Sequence, residues 1–284
     1  MEVSWLQTLM VSTITLTAPY LLAAMAGFTS ERGGVINIGL EGKIVASTVF
    51  AAIVGIASHN PWLGMLGGLT ASVVMAWLHL GLTQAFNVDH IVSGMALNAL
   101  ALGSANFLDR KLQLSEGHQL PVVPSGVLVV VAVILPFALW AAQKWTKWGL
   151  RLTAVGADPE KARQMGINPL LVRAGGLTLT GLFCGLSGVL LVSHSGFYTD
   201  GMVAGRGYIA LAALILGGWR PLPTFGACVV FGLSQAVQVQ LQGTVLLGMN
   251  IPREIWLSLP YLVTVVALAG FLGGSKPPAG LGKA

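Results

Sequence analysis

The sequence predicts an all-α fold, a polytopic bundle of membrane helices with about nine membrane segments. Of its 284 residues, 55% are hydrophobic and only 9% are charged, whereas a soluble domain carries about 25% charged residues. Most of the chain must therefore face lipid or neighbouring helices, and within lipid an open chain satisfies its backbone polar groups by forming helices. The 37 glycines favour the same fold, because small residues let membrane helices approach each other closely.

Apolar stretches long enough to cross a membrane recur along the whole chain. A bilayer core of about 30 Å requires about 20 apolar residues in a helix. Segments of this kind lie at 5–27, 35–58, 62–86, 90–108, 123–143, 170–193, 221–241 and 255–272. A shorter piece, 207–219, is bounded by glycines on both sides, which predicts a half-length or broken helix. No basic stretch precedes the first segment, so we expect it to remain as a span rather than to be a cleaved signal.

The basic residues predict how these segments are oriented. The longest polar connection, 144–169, is expected in the cytoplasm, since it contains Lys144, Lys147, Arg151, Lys161 and Arg163. Counting segments back from this connection places the N-terminus outside. Counting forward places the residues after the last segment inside.

The order of the segments predicts one transmembrane domain, 1–284, built from two halves. The first half covers 5–108, a connecting span covers 123–143, and the second half covers 170–272. In each half a glycine-marked break opens the second segment, at Arg32-Gly33-Gly34 and at Arg206-Gly207-Tyr208. A single connecting span would leave the halves inverted relative to each other. Inverted repeats with broken helices are a recurrent transporter design, with the pathway at the repeat interface.

Polar residues inside the first half are candidates for the substrate pathway. Asn37 and Glu41 are four residues apart, so we expect them to share a helix face, with Gly34 preceding them on that face. An intramembrane carboxylate costs at least about 2.5 kcal/mol, so Glu41 should face a water-filled cavity or a polar partner. The two residues either line the pathway or form a buried clasp that satisfies the backbone at the glycine break. Asn98 is a further candidate for substrate contact, although such a residue more often makes a structural hydrogen bond.

Two blocks of sequence resemble a known family of transport proteins. The stretch Ser30–Gly42, SERGGVINIGLEG, resembles the second span of permeases in bacterial ABC importers of the branched-chain amino acid/ribose type. Within them it is similar to the nucleoside and simple-sugar subgroup, whose motif runs SER-x-GV-x-NIGLEG. The block AGRGYIALAALILG, residues 204–217, together with Ser195-Gly196-Phe197, resembles the second motif of this subgroup. The resemblance runs over nearly the whole chain.

This resemblance implies a permease subunit of an ATP-driven importer, which forms half of the translocation pathway for a nucleoside or related sugar-type solute. The expected location is the bacterial cytoplasmic (inner) membrane. The expected partners are a second permease subunit in a heterodimer, a cytoplasmic ABC ATPase and an extracytoplasmic solute-binding protein. ATP hydrolysis then belongs to the separate ATPase subunit, and the chain lacks a GxxxxGK[ST] phosphate loop. We expect no enzyme activity and no cofactor.

The polar connection contains a short predicted helix with recognisable ends. Asp158 can cap its first N–H groups and Pro159 suits its first position, while Gly166 can supply a left-handed residue at its end. Such a helix is too short to be stable alone. In the resembled family it is the coupling helix that docks in a groove of the ATPase, which assigns to ATPase coupling Gly156, Asp158, Pro159, Ala162, Arg163 and Gly166. The alternative is a solvated loop that merely joins the two halves.

Other functional classes fit the sequence less well. A gradient-driven secondary transporter would share the repeat and the broken helices and would use Glu41 as its titrating group, but it has no need of a capped coupling helix. An intramembrane hydrolase is unsupported, because the chain has no HExxH pair and no GxSxG elbow. The basic residues are scattered among apolar runs, so nucleic-acid binding is not expected. Neither the histidines nor Cys184 and Cys228 form a pattern typical of a metal site.

Overall fold

Helices make up most of the chain that the structure describes. The computed structural model describes residues 5–242, 245–246, 249–250, 252–271 and 276–283. Its helices are α1 (Trp5–Glu31), α2 (Leu40–Ser58), α3 (Pro61–Leu80), α4 (His90–Leu112), α5 (Ser125–Trp145), α6 (Lys147–Ala157), α7 (Pro159–Gln164), α8 (Pro169–Ser195), α9 (Arg206–Leu216), α10 (Pro221–Leu241) and α11 (Arg253–Phe271). A π-helical turn, Gly81–Ala85, follows α3, and two short antiparallel strands, β1 (Val245–Leu246) and β2 (Met249–Asn250), precede α11.

The lengths of these helices agree with a chain that crosses a membrane several times. Within the described residues, seven helices are long and apolar enough to span a bilayer, namely α1, α2, α3 with its π-helical turn, α4, α5, α8 and α10. The shorter apolar helices are α9 and the 254–267 part of α11. A helix therefore lies at each predicted membrane segment, which confirms a polytopic helical bundle. The last predicted segment, 255–272, ends one residue beyond α11, and residue 272 lies outside the described residues.

Local sequence explains where several helices begin. Asn60 accepts hydrogen bonds from the amides of Trp62 and Leu63 at the start of α3, and Pro61 occupies its first position. Asp89 caps α4 in the same way, and Asn168 caps α8 ahead of Pro169. These caps satisfy N–H groups that have no partner within the helix. The turns between the spans are thus fixed by short polar residues that flank apolar runs.

The second half of α1, together with α2 and α8, forms the most buried part of the bundle. The second half of α1, from Thr17 to Glu31, is buried at every position, and it packs between α8 and α10. Glycines bring α8 close to its neighbours: a Cβ on Gly181 would meet Val73 of α3, and a Cβ on Gly188 would meet Ser47 of α2. Close approach of this kind replaces the hydrophobic driving force that is missing between helices in lipid.

The polar connection between α5 and α8 is more helical than the sequence analysis predicts. The structure shows the predicted short helix as α7, but residues 147–157, expected as a loop, form a second helix, α6. The Thr146 hydroxyl accepts a hydrogen bond from the Gly149 amide at its start. Its apolar residues Leu152 and Val155 are fully buried. α6 is therefore an amphipathic helix that packs its apolar face on the bundle.

Candidate functional site

The break between α1 and α2 is an ordered turn followed by an irregular segment. Gly34 has a φ of +92°, which an L side chain rarely adopts. The amides of Gly33 and Val35 donate to the Ser30 carbonyl, and the Gly34 amide donates to the Glu31 carbonyl. Residues 35–39 then run outside any helix until α2 begins at Leu40. Their backbone groups must find other partners, because unpaired groups are costly within a membrane protein.

Two histidines from the next hairpin bond to this irregular segment. The Ile36 amide donates to Nδ1 of His90 at 3.2 Å, and the Ile36 carbonyl lies 2.9 Å from Nε2 of His79. Nδ1 of His79 also lies 2.9 Å from the Ser93 hydroxyl. Neither histidine could be assigned a role from the sequence, because their distance from Ile36 along the chain follows no pattern. They hold the broken segment against α3 and α4.

Asn37 links two buried charged residues of opposite sign. The backbone N–H of Asn37 donates to the Glu31 carboxylate at 3.1 Å, and its side-chain oxygen accepts from the Lys43 ammonium at 2.8 Å. Its side-chain nitrogen donates to the Ser30 hydroxyl. Asn37, Glu31 and Lys43 are all nearly inaccessible to solvent. The expectation that Asn37 and Glu41 share a helix face is wrong, because Asn37 lies ahead of the first turn of α2.

Glu41 binds the start of the half-length helix α9. Its two carboxylate oxygens accept hydrogen bonds from the amides of Gly205, at 2.8 Å, and Gly207, at 2.6 Å. A carboxylate is favourable there, since the N-terminus of a helix carries free N–H groups and a partial positive charge. A Cβ on Gly207 would collide with the backbone of Glu41. The second glycine-marked break therefore contacts the first turn of α2, just after the irregular segment.

A second carboxylate and Asn98 complete the contacts around α9. The indole N–H of Trp219, just beyond the end of α9, donates to Glu31 at 2.6 Å. The Asn98 side chain accepts from the Gly42 amide at 2.7 Å and donates to the Ile38 carbonyl and the Tyr208 hydroxyl, both at 3.0 Å. Asn98 thus joins α4 to the irregular segment and to α9. The contacts of Glu31, Glu41 and Asn98 form what we term the α9 clasp.

The three predicted pathway residues therefore lie close together, and all of them are buried. Asn37, Glu41 and Asn98 are at most 5% exposed. A small cavity lies beside Glu41, lined among others by Thr48, Tyr198, Asp200 and Met202. Of the two roles that the sequence leaves open, the hydrogen bonds favour the clasp. Glu41 also lines the small cavity, which is compatible with the other role, that of a pathway residue. In the part of the chain that the structure describes, no group of side chains is arranged to hold a metal ion.

The short helix α7 has the predicted ends. One oxygen of Asp158 accepts from the amides of Glu160, at 3.1 Å, and Lys161, at 3.0 Å. The other pairs with the Lys161 ammonium at 3.1 Å. The Lys161 amide and ammonium hold the pKa of the Asp158 carboxyl below its usual range. Pro159 occupies the first position of α7, and Gly166 follows the helix with a φ of +78°.

Two of the predicted coupling residues contact their own chain rather than a free surface. A Cβ on Gly156 would collide with the Arg32 carbonyl oxygen in the glycine break, and Ala162 is only 2% exposed. Arg163 is exposed and pairs with Glu160. Leu150 and Met165 are exposed apolar residues of this region that were not predicted as contact residues. Apolar residues close to a short charged helix were the sequence feature that could have indicated a contact surface here.

Comparisons with known proteins identify the family of this chain. Residues 9–268 match the family described as branched-chain amino acid transport system, permease component. The chain is 33% identical to the guanosine ABC transporter permease protein NupQ of Bacillus subtilis, over 94% of this chain and 92% of that protein. It is 30% identical to the nucleoside ABC transporter permease protein NupC of Lactococcus lactis, over 97% and 96% of the two chains.

A more distant relative comes from the same organism as the first. The guanosine ABC transporter permease protein NupP of Bacillus subtilis is 23% identical, over 78% of this chain and 71% of that protein. The family match includes every helix from α2 to α10 and both glycine-marked breaks. Since this match extends far beyond half of the sequence, the chain belongs to the permease-component family of the branched-chain amino acid transport system.

Proposed function

We propose that this chain is one of two permease subunits of an ATP-driven nucleoside importer in the bacterial cytoplasmic membrane. The observation that carries the proposal is its similarity to two nucleoside permeases over more than nine-tenths of each chain. The family match at 9–268 includes the α9 clasp and the helices α6 and α7, which we term the coupling helices, so the parts that would move during transport are included. The chain performs no covalent chemistry, and ATP hydrolysis belongs to a separate subunit.

The contacts suggest how movement at the coupling helices reaches the membrane interior. Gly156, at the end of α6, packs against the carbonyl of Arg32 in the glycine break. The irregular segment after the break is bonded through Asn37 to Glu31 and Lys43. Glu41 then bonds to the start of α9. A displacement of α6 and α7 by the ATPase would therefore shift the break and, through it, α9.

The half-length helix α9 is the element that we expect to alter the pathway. Its 11 residues span about 16 Å, roughly half of a bilayer core of about 30 Å. The cavity beside Glu41 lies next to its start. Glu41 and Asn98 bond directly to α9 or its first residues, whereas Asn37 reaches it through Glu31 and Trp219. Glu41 in addition borders the pathway. The pathway itself would form between the two permease subunits.

The partners are proposed from the family and from the charges of the coupling region. NupQ and NupP are two different guanosine permease proteins of one organism, which supports a heterodimer of related permeases here. The ATPase would bind the exposed side of α7, where Glu160, Lys161 and Arg163 face solvent. A solute-binding protein would deliver the nucleoside at the opposite side of the membrane. The comparisons give no support to a gradient-driven transporter.

The proposal is tested by reconstituting the chain with its partner subunits. Proteoliposomes would hold both permeases and the ATPase, with the solute-binding protein added on the outside and ATP enclosed. Uptake of radiolabelled guanosine, uridine and ribose is then compared with that of vesicles that lack this chain. We expect ATP-dependent uptake of the nucleosides, well above that of ribose. Uptake of ribose alone would contradict the assignment of the substrate class.

A further inference from the structure

The segment Pro278–Lys283 lies in a groove between the coupling helices and the glycine break. The Gly280 amide donates to the Gly156 carbonyl at 2.9 Å, and the Gly282 amide donates to the Gly34 carbonyl, also at 2.9 Å. One short segment thus bonds to the end of α6 and, two residues later, to the turn between α1 and α2. We call the residues 278–283 the strap.

A buried arginine fastens the far end of the strap. Arg173, in the first turns of α8, is only 3% exposed. Its guanidinium donates to the Lys283 carbonyl and to the Gln84 side chain, both at 2.6 Å, and to the Gly33 carbonyl at 3.4 Å. Arginine suits this position because its rigid fork presents several donors at once. The same side chain therefore contacts the strap, the glycine break and the π-helical turn after α3.

The two glycines of the strap fit closely. A Cβ on Gly280 would lie 2.9 Å from the Gly156 carbonyl oxygen and 3.2 Å from Cδ of Pro159. Gly282 has a φ of +80°, and its Cβ would lie 3.0 Å from Cδ1 of Ile36. Gly280 is buried, whereas its neighbour Ala279 is exposed. The strap is therefore shaped to this groove on one side and open to solvent on the other.

We propose that the strap is a positioning element that joins the coupling helices to the glycine break, so that the two move together. This inference rests on the proposed function as an ATP-driven importer. Without the strap, α6 would be linked to the break by the packing of Gly156 against Arg32 and of Leu152 against Gly33. With it, hydrogen bonds fix Gly156, Gly34 and the start of α8 to one another. Gly280 and Gly282 act through the break and not on the solute.

A first experiment compares neighbouring substitutions, Gly280→Val and Ala279→Val, in the reconstituted importer. Valine at 280 would press on the Gly156 carbonyl, whereas valine at 279 would face solvent. We expect Gly280→Val to bind the ATPase and to hydrolyse ATP, but to take up several-fold fewer nucleosides per ATP hydrolysed. Ala279→Val should behave like the wild type, and Gly280→Ala should lie between the two. If Gly280→Val takes up as much nucleoside per ATP as the wild type, the inference is overturned. Nucleoside uptake by the wild-type importer would still support the proposed function in that case.

A second measurement does not depend on transport. Hydrogen exchange of the purified permease reports how well the backbone is protected in the glycine break, residues 32–37. We expect faster exchange there in Gly280→Val and no change in Ala279→Val. If the cells do not produce folded Gly280→Val, then Gly280→Ala should show the faster exchange instead. Equal exchange in all variants would show that the strap does not hold the break. If the wild type takes up no nucleoside, this measurement still decides for or against the strap contact.

Discussion

Buried polar side chains in this bundle bond to backbone groups more often than to each other. Glu41 accepts from two amides of α9, Glu31 accepts from the Asn37 amide, and Asn98 binds both an amide and a carbonyl. A break in a membrane helix frees backbone groups that lipid cannot satisfy, at a cost of several kcal/mol each. These residues supply the missing partners, and the hydrogen bonds offset the cost of burying their carboxylates in an apolar bundle.

The first prediction concerns Glu41. Leucine at this position would leave the amides of Gly205 and Gly207 unpaired, at about 1–3 kcal/mol each, and should impair uptake severely. Glutamine keeps one acceptor oxygen but turns an N–H group toward the second amide, so Glu41→Gln should retain part of the uptake. Uptake and thermal unfolding of the purified importer measure both effects.

The matched control for this prediction is Glu116→Leu. Glu116 is an exposed carboxylate between α4 and α5, and its replacement should change neither uptake nor unfolding. If Glu41→Leu transported and unfolded like this control, Glu41 would have no part in holding α9.

At the scale of single residues, the sequence identifies the polar positions but not their partners. Glu41 and Asn37 stand out as polar groups in an apolar run, so the sequence singles them out as candidate pathway residues. The amides that Glu41 binds lie 164 and 166 residues away, and no spacing rule connects them. The prediction that Asn37 and Glu41 share a helix face was wrong for a local reason. Hydrogen bonds to side chains hold residues 35–39 outside the helix.

At the scale of elements, the sequence predicts one of the two helices α6 and α7 and not the other. α7 could be predicted because its cap, its proline and its final glycine are all short-range features. α6 was predicted as loop, although its buried residues Leu152 and Val155 recur at helical spacing. Its polar composition and its position beside a charged stretch concealed this period. The half-length helix was predicted at 207–219 and observed as Arg206–Leu216.

A second prediction tests the cap of α7. Asp158→Ala removes the acceptor for two N–H groups, and a six-residue helix has little other stability of its own. We expect faster hydrogen exchange over residues 159–165 and weaker binding of the ATPase. Asp158→Asn, which retains a side-chain oxygen suited to the cap, should resemble the wild type. Equal exchange in the alanine variant and the wild type would contradict a role for the cap.

The charge of Asp158 also predicts a pH dependence. Because the pKa of this carboxyl is lowered in the folded protein, its contribution is present at pH values above the unfolded pKa of about 3.9. It is lost only as the pH falls through the lowered folded value. Protection of the α7 amides should therefore not change between about pH 6 and about pH 8, once the pH dependence of the intrinsic exchange rate is corrected for. A step in that window would indicate a different titrating group.

At the scale of the whole molecule, composition and the length of the apolar runs predicted the fold class and the positions of the spans. The inverted repeat and the orientation of the halves stay predictions. The strap could not be predicted, because Pro278–Lys283 has neither an apolar period nor a charge pattern. Its contacts with Gly156 and Gly34 depend on how distant segments meet.

A third prediction tests the orientation. Met165 is 77% exposed, and the native cysteines, Cys184 and Cys228, are buried. In Met165→Cys, a maleimide that cannot cross membranes should therefore label inside-out vesicles but not intact cells. Labelling of intact cells would place the coupling helices outside and would remove the case for contact with an ATPase.

ATP hydrolysed by a separate subunit should drive solute movement through this permease. This is measured as nucleoside uptake into proteoliposomes that contain ATP, with the proton and sodium gradients collapsed by ionophores. We expect uptake to persist under these conditions, to stop when ATP is omitted, and to remain uphill in Glu41→Gln. Loss of uptake with the ion gradients, or of uphill accumulation in Glu41→Gln, would instead indicate a gradient-driven transporter in which Glu41 titrates.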